Sequence, residues 1–164
     1  MTHDEFWKLI DKSRRGADDG DEQCEKLRNL LATLPIEDIF GFDRILHECL
    51  DASYRRDLWA AAYIINGGCS DDGFEYFRCW LVVQGKKYFE AALADPNEAG
   101  RWAEPDEAEC ESILGVAADA YQAKTGQVDF YERCARVAPA TLVGDEWDED
   151  TVHEKYPKLT KKFG

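Results

Sequence analysis

Long apolar runs are missing from this sequence. No stretch approaches the roughly 18–20 consecutive apolar residues that a membrane-spanning helix needs. The longest uninterrupted run, residues 58–65, has the length of a buried core helix. Residues 1–15 contain no basic segment followed by an apolar one, which is the pattern of a secretion signal. We therefore expect a cytoplasmic protein that does not associate with a membrane.

Basic residues are in the minority. Lys and Arg number 20 against 34 Asp and Glu, which gives a formal net charge of −14. The phosphates of DNA or RNA would be repelled by such a chain, so direct nucleic-acid binding is excluded from the expected functions. A hydrophobic fraction of 45% and a charged fraction of 33% fit a globular protein. The length of 164 residues predicts a single domain over residues 1–164.

Recognisable metal and catalytic motifs are also missing. The six cysteines are widely spaced and form no C-x-x-C pair, so we predict reduced thiols and no zinc or other metal site. The chain has no G-x-S-x-G elbow and no glycine-rich phosphate loop, so no cofactor is expected. Whether the protein is an enzyme stays open, and the missing motifs favour a protein without catalytic activity.

What the sequence does contain is helical periodicity. Apolar residues recur three and four positions apart along almost the whole chain, with no alternating strand pattern. This predicts an all-α fold of about seven or eight helices with an irregular acidic C-terminal segment. Helices are predicted to begin at Thr2, Pro35, Ser70 and Pro105, and the last of these to run to about Lys124. A left-handed cap is predicted at Gly67 and Gly68. A further helix is predicted over 128–138 and irregular structure over 139–150.

The sequence Ser70-Asp71-Asp72 has two interpretations. Ser70 can cap a helix whose positive end favours the two carboxylates, which explains these residue types without a ligand. Alternatively, the two carboxylates bind a cation, or act as acid and base if they are buried. Glu75 and Arg78, one turn further on, form either a local ion pair or part of the same site.

A weaker pattern lies upstream. Asp43 and His47 are four residues apart, with Glu48 beside them, and such a pair can ligate a metal from one helical face. No H-E-x-x-H or comparable motif accompanies it, so a helix-surface histidine is the favoured interpretation.

The C-terminal part is strongly acidic. Five of residues 145–150 are Asp or Glu, and they surround Trp147. A solvated surface explains such a run. The alternative is a docking surface for a basic protein, with the tryptophan as an anchor inside a charged rim. The candidate partner-binding residues are Trp147, Asp148, Glu149 and Asp150.

Several short motifs along the chain resemble one known family. They are a Phe-Trp pair, a Leu-Trp pair, a Gly-Gly-x-Ser-Asp-Asp-x-Phe turn, an Arg-x-Trp-Leu segment and a closing Ala-Leu-x-Asp-Pro. They fall at residues 6–7, 58–59, 67–74, 78–81 and 92–96, and further matches fall at 147–150 and 156–157. In these motifs the chain resembles the bacterial family called domain of unknown function 4240. The resemblance implies a bacterial, cytosolic, mainly helical protein and implies no activity.

Two functional hypotheses follow. The first is a small acidic binding or regulatory module, immunity-like or adaptor-like, that contacts a basic protein. The second is a ligand- or metal-binding protein or enzyme with its site between Gly67 and Arg78, formed by Ser70, Asp71, Asp72, Glu75 and Arg78. Convergence of these side chains in one cleft would favour the second hypothesis. The oligomeric state is left open, and a homodimer built on surplus aromatic residues is a third alternative.

Overall fold

Helices account for the regular secondary structure of the residues that the structure describes, apart from one isolated β-bridge between Arg55 and Val143. The computed structural model describes residues 1–134, 138 and 140–164. Within these residues there are ten α-helices, eight of them seven residues or longer, and 3₁₀ turns at Pro96–Gly100 and Glu111–Gly115. The all-α prediction and the expected number of helices are confirmed. The helices are α1 (His3–Arg14), α2 (Gly20–Ala32), α3 (Ile36–Ala52), α4 (Arg56–Ile65), α5 (Asp71–Val83), α6 (Lys86–Ala94), α7 (Val116–Thr125), α8 (Phe130–Arg133), α9 (Val152–Lys155) and α10 (Pro157–Phe163).

Helix ends follow the local signals in the sequence. Thr2 and Glu5 form the predicted capping box at the start of α1, because each side chain accepts from the other residue's backbone N–H. Pro35 immediately precedes α3, and its φ of −56° suits a helix start. Gly67 takes the left-handed conformation after α4, with a φ of +63°. These predicted boundaries are confirmed.

The helix predicted from Pro105 is wrong for its first half. Residues 105–110 contain no α-helix, and Asp106 has a positive φ of 61°. Their backbone hydrogen bonds go to distant parts of the chain: Ala108 pairs with the Asn66 side chain, and the Cys110 N–H donates to the Tyr76 carbonyl at 3.0 Å. The α-helix begins only at Val116, because residues 105–110 satisfy backbone groups through tertiary contacts instead.

The C-terminal part also differs from expectation. Of the helix predicted over 128–138, the described residues show the four residues of α8, and residues 135–137 and 139 lie outside the described residues. Helices α9 and α10 were not predicted. They are short, and such helices depend on packing rather than on intrinsic propensity. Leu159 of α10 is buried and lies so close to Gly100 that a Cβ there would meet it at 2.5 Å.

The core is rich in aromatic side chains. Phe6, Phe42, Phe74 and Phe77 are all at most 1% exposed, and the rings of Phe6 and Phe42 are 4.8 Å apart. Helix α5 contacts α3 and α4, so the C-terminal half of α3 and the N-terminal half of α5 become neighbours. Within the described residues, no helix combines the length and the apolar surface needed to cross a bilayer.

Candidate ligand-binding site

The two polar segments on α3 and α5 meet at one cleft. Its volume is about 720 Å³, within the range of roughly 300–1,000 Å³ that small-molecule sites occupy. Polar residues from α3 line one wall, polar residues from α5 line the other, and aromatic rings lie between them. The described lining residues are Asp43, Arg44, His47, Glu48, Leu50, Asp51, Tyr54, Trp59, Asp71, Asp72, Phe74, Glu75, Arg78, Cys134 and Ala140.

The α3 wall is built on a four-residue spacing. Asp43, His47 and Asp51 occupy positions i, i+4 and i+8, so they share one helical face. His47 Nδ1 donates to the backbone carbonyl of Asp43 at 2.8 Å and lies 3.5 Å from its carboxylate Oδ2. These bonds fix the imidazole against the cleft wall.

Asp43 is the most unusual group of this wall. It is only 2% exposed, and its Oδ2 accepts a hydrogen bond from the Cys134 thiol at 3.7 Å. Its Oδ1 is buried and has no hydrogen-bond partner among the described residues. A buried carboxylate oxygen without a donor is costly, because desolvation is not compensated. Asp43 therefore contributes to this wall a buried carboxylate with one unsatisfied oxygen.

Glu48, by contrast, is already paired. Its Oε1 accepts from Arg44 Nη1 at 2.6 Å, and its Oε2 lies 2.8 Å from His3 Nε2. Asp51 is exposed and forms no ion pair with any described residue. The charge available to a ligand at this rim is consequently that of Asp51.

The α5 wall begins with the predicted cap. Ser70 Oγ accepts from the Gly73 backbone N–H at 3.1 Å, and Ser70 is not among the lining residues, so its position is that of an N-cap. Asp71 and Asp72 are exposed in the first helical turn, and Glu75 is half-buried one turn later. All three line the cleft, and none forms an ion pair within the part of the chain that the structure describes.

Arg78 closes the inner end of the same wall. It is 8% exposed, its Nη1 donates to the Leu50 carbonyl at 2.8 Å and its Nε to the Phe74 carbonyl at 3.3 Å. Its guanidinium lies over the rings of Tyr54 and Phe74, 4.7 and 4.9 Å from their centroids. Burial lowers the pKa of Arg78 below its ordinary value. The predicted Glu75–Arg78 ion pair does not form between these groups, and Arg78 instead connects α5 to the end of α3.

The floor of the cleft is aromatic. The rings of Trp59 and Phe74 are stacked 5.0 Å apart with an interplanar angle of 9°, and the ring of Tyr54 is stacked 6.0 Å from that of Phe74. Trp59 Nε1 donates to the Cys69 carbonyl at 3.0 Å, which holds the indole in place. Trp59 stays half-buried, and its remaining surface lines the cleft.

Cys69, whose carbonyl accepts from Trp59, is a weak nucleophile. Burial raises the pKa of Cys69 to about 12, so this thiol is protonated at neutral pH. Further away, the thiols of Cys24 and Cys110 lie 3.7 Å apart without a disulfide. Their mutual hydrogen bond and burial raise the pKa of Cys24 above its ordinary value.

The predicted partner-binding segment lies elsewhere. Trp147 is half-buried, and its ring packs 5.3 Å from the ring of Tyr63 on α4. The Tyr63 hydroxyl donates to Glu149 at 3.2 Å, while Asp148 accepts from the backbone N–H of Asp150. This tryptophan holds the C-terminal segment against α4, and the docking role of residues 147–150 stays a prediction.

Several cleft residues were not singled out from the sequence. Tyr54, Trp59 and Asp51 belong to it, although only Asp51 could have been found, because it continues the 43–47 spacing by another four residues. The metal hypothesis for Asp43 and His47 receives no third ligand: within the described residues, no three His, Cys, Asp or Glu side chains are grouped as a metal site.

These observations define an all-α protein with an acidic, aromatic-floored cleft. The model of the family described as "Protein of unknown function (DUF4240)" matches residues 1–123, and the chain belongs to this family. The resemblance seen in the short motifs is thereby confirmed. The matched range contains every carboxylate and aromatic ring of the cleft, whereas residues 147–150 lie outside it. Searches of curated proteins and of solved structures found no match.

Ser70 offers a test that separates capping from ligand binding. The substitution Ser70→Ala is expected to lower the free energy of unfolding by about 1 kcal/mol, because the Gly73 N–H loses its acceptor. Ser70→Asp supplies another capping carboxylate and is expected to retain most of the stability. Urea denaturation followed by circular dichroism measures both. Wild-type stability for Ser70→Ala would contradict the capping role.

Proposed function

We propose that this protein is a ligand-binding protein whose recognition site is the cleft between α3 and α5. The observation that carries the proposal is convergence: Asp71, Asp72, Glu75 and Arg78 line the same cavity as Asp43. A surface that served only to solvate the chain would not require these side chains to share one concavity.

Two further features support a binding role. The volume of about 720 Å³ accommodates a small organic molecule or a side chain of another protein. The buried Asp43 Oδ1 lacks a donor among the described residues, which is the state expected of an acceptor that a ligand completes. An immunity-like or adaptor-like role is compatible with this site if the bound group belongs to a protein.

The proposal is tested by nuclear magnetic resonance on uniformly ¹⁵N-labelled protein. The probes are butylammonium, butyrate, glucose and indole, added separately at millimolar concentration. At least one of them is expected to shift the indole resonance of Trp59 and the backbone amides of residues 71–78. The indole of Trp102, which does not line the cleft, serves as the internal control. Shifts confined to other regions, or none at all, would refute a binding site at this cleft.

A further inference from the structure

We infer that the group held in this cleft is an organic cation with N–H donors, namely a protonated amine or a guanidinium. The inference rests on the proposed function and adds the chemistry of the ligand. Six carboxylates line the cleft against two guanidinium groups: Asp43, Glu48, Asp51, Asp71, Asp72 and Glu75 against Arg44 and Arg78.

The carboxylates outnumber the guanidinium groups by four within the described residues, and the only other basic side chain of the lining is His47, 3.5 Å from Asp43. Arg44 is paired with Glu48, and Arg78 donates to two backbone carbonyls rather than to a carboxylate. Clefts lined by one sign of charge focus the electric field and concentrate ions of the opposite sign. The potential inside this cleft consequently attracts a cation.

Asp43 is the residue of the cleft beside which a positive charge on the ligand is most favourable. Its carboxylate is 3% exposed at the side-chain level, and Oδ1 has no donor in the described part of the chain. An N–H donor carrying a positive charge satisfies both the open acceptor and the buried charge. A neutral ligand would supply the hydrogen bond without the charge.

The aromatic floor favours an organic cation over a metal ion. Ammonium and guanidinium groups are attracted to the faces of tryptophan and tyrosine rings, an interaction of about 0.5–2 kcal/mol. Two rings of this floor already hold one guanidinium, since Arg78 lies over Tyr54 and Phe74. Ca²⁺ and Mg²⁺ instead require several oxygen ligands in close array.

Calorimetric titration with matched probes tests the inference. Propylguanidinium is compared with propylurea, which has nearly the same shape without the charge, and with butyrate and calcium chloride. Propylguanidinium is expected to bind at least about tenfold more tightly than propylurea. Tighter binding of butyrate would assign the site to anions at Arg78, and binding of calcium alone would assign it to a metal. Either result would overturn the inference.

Two variants locate the binding. Asp43→Asn removes the buried charge with little change of shape, and propylguanidinium is expected to bind about tenfold to a hundredfold more weakly. Asp145→Asn makes the same change of net charge at an exposed residue outside the cleft, and unchanged affinity is expected. Should Asp43→Asn fail to fold, the double variant Asp51→Asn/Glu75→Gln alters rim residues instead and is expected to weaken binding several-fold. Equal affinity in the cleft variants and Asp145→Asn would contradict the inference.

Two sources can supply such a cation, a free small molecule or the side chain of a basic protein. A blocked Gly-Arg-Gly peptide and its citrulline counterpart separate them. Binding of the arginine peptide at least about tenfold more tightly than propylguanidinium points to a protein, and equal or weaker binding points to a small molecule. If propylurea or butyrate shifts the Trp59 indole resonance and cations do not, the inference that the ligand is a cation is refuted. The proposed binding site is then still supported. Absence of any shift at Trp59 would refute both.

Discussion

Replacing Phe42 with alanine is expected to lower the free energy of unfolding by about 3–5 kcal/mol. The side chain is 0% exposed, and its ring lies 4.8 Å from that of Phe6, so truncation leaves a cavity between α1 and α3. Since native proteins are stable by only about 5–15 kcal/mol, much of the total stability is lost. Denaturation by urea, followed by far-ultraviolet circular dichroism, measures the change.

The matched control for this substitution is Val128→Ala. Val128 is 80% exposed, and the same truncation to alanine is expected to change stability by no more than about 0.5 kcal/mol. Phe42 also precedes Asp43 on α3, so Phe42→Ala is expected to weaken cation binding by loosening the cleft wall. A destabilisation similar to that of Val128→Ala would contradict the described core.

Replacing Arg78 with alanine is expected to cost about 2–4 kcal/mol of stability, since hydrogen bonds from charged groups contribute about 1.5–3 kcal/mol each and are not fully additive. The guanidinium donates to carbonyls of both α3 and α5 and covers two aromatic rings. Its removal therefore eliminates contacts that join two walls of the cleft. Thermal and urea denaturation both report this loss.

Arg78→Lys is a second variant at this position, and it tests whether the planar guanidinium itself is required. A lysine ammonium is a compact point charge and cannot reach both carbonyls in the planar geometry of guanidinium. We expect Arg78→Lys to lie between wild type and Arg78→Ala in stability. If Arg78→Ala were as stable as wild type, the structural role of Arg78 would be wrong.

Most of the helical architecture could be predicted because helix signals are local. The capping box of Thr2, the cap at Ser70 and the left-handed Gly67 depend only on neighbouring residues. The failure at residues 105–110 has a different origin. There the backbone bonds to Asn66 and Tyr76, which lie more than thirty positions away in sequence, and no local pattern reports such partners.

Individual residues of the candidate site could be predicted from the sequence, but their convergence in one cleft could not. Asp71, Asp72, Glu75 and Arg78 were identified on one segment, and Asp43 with His47 on another. Their union in one cleft depends on how α3 packs against α5, which helical periodicity does not specify. The burial of Asp43 and the absence of a partner for its Oδ1 among the described residues likewise follow only from the tertiary structure.

The docking role of Trp147 stays a prediction, and only its surroundings in the fold are new. Five acidic neighbours made it resemble an exposed anchor, since a sequence does not show which aromatic ring will find a partner. The contact with Tyr63 occupies part of its surface within the fold. The cleft offers a concavity of about 720 Å³, an unsatisfied buried carboxylate and rings suited to a cation.

A crystal structure of the protein with propylguanidinium tests the central claim most directly. The account predicts the cation inside the cleft between α3 and α5, with a nitrogen within about 4 Å of the Asp43 carboxylate and the guanidinium plane against the rings of the floor. Density for the cation on residues 145–150, with the cleft holding only water, would contradict it.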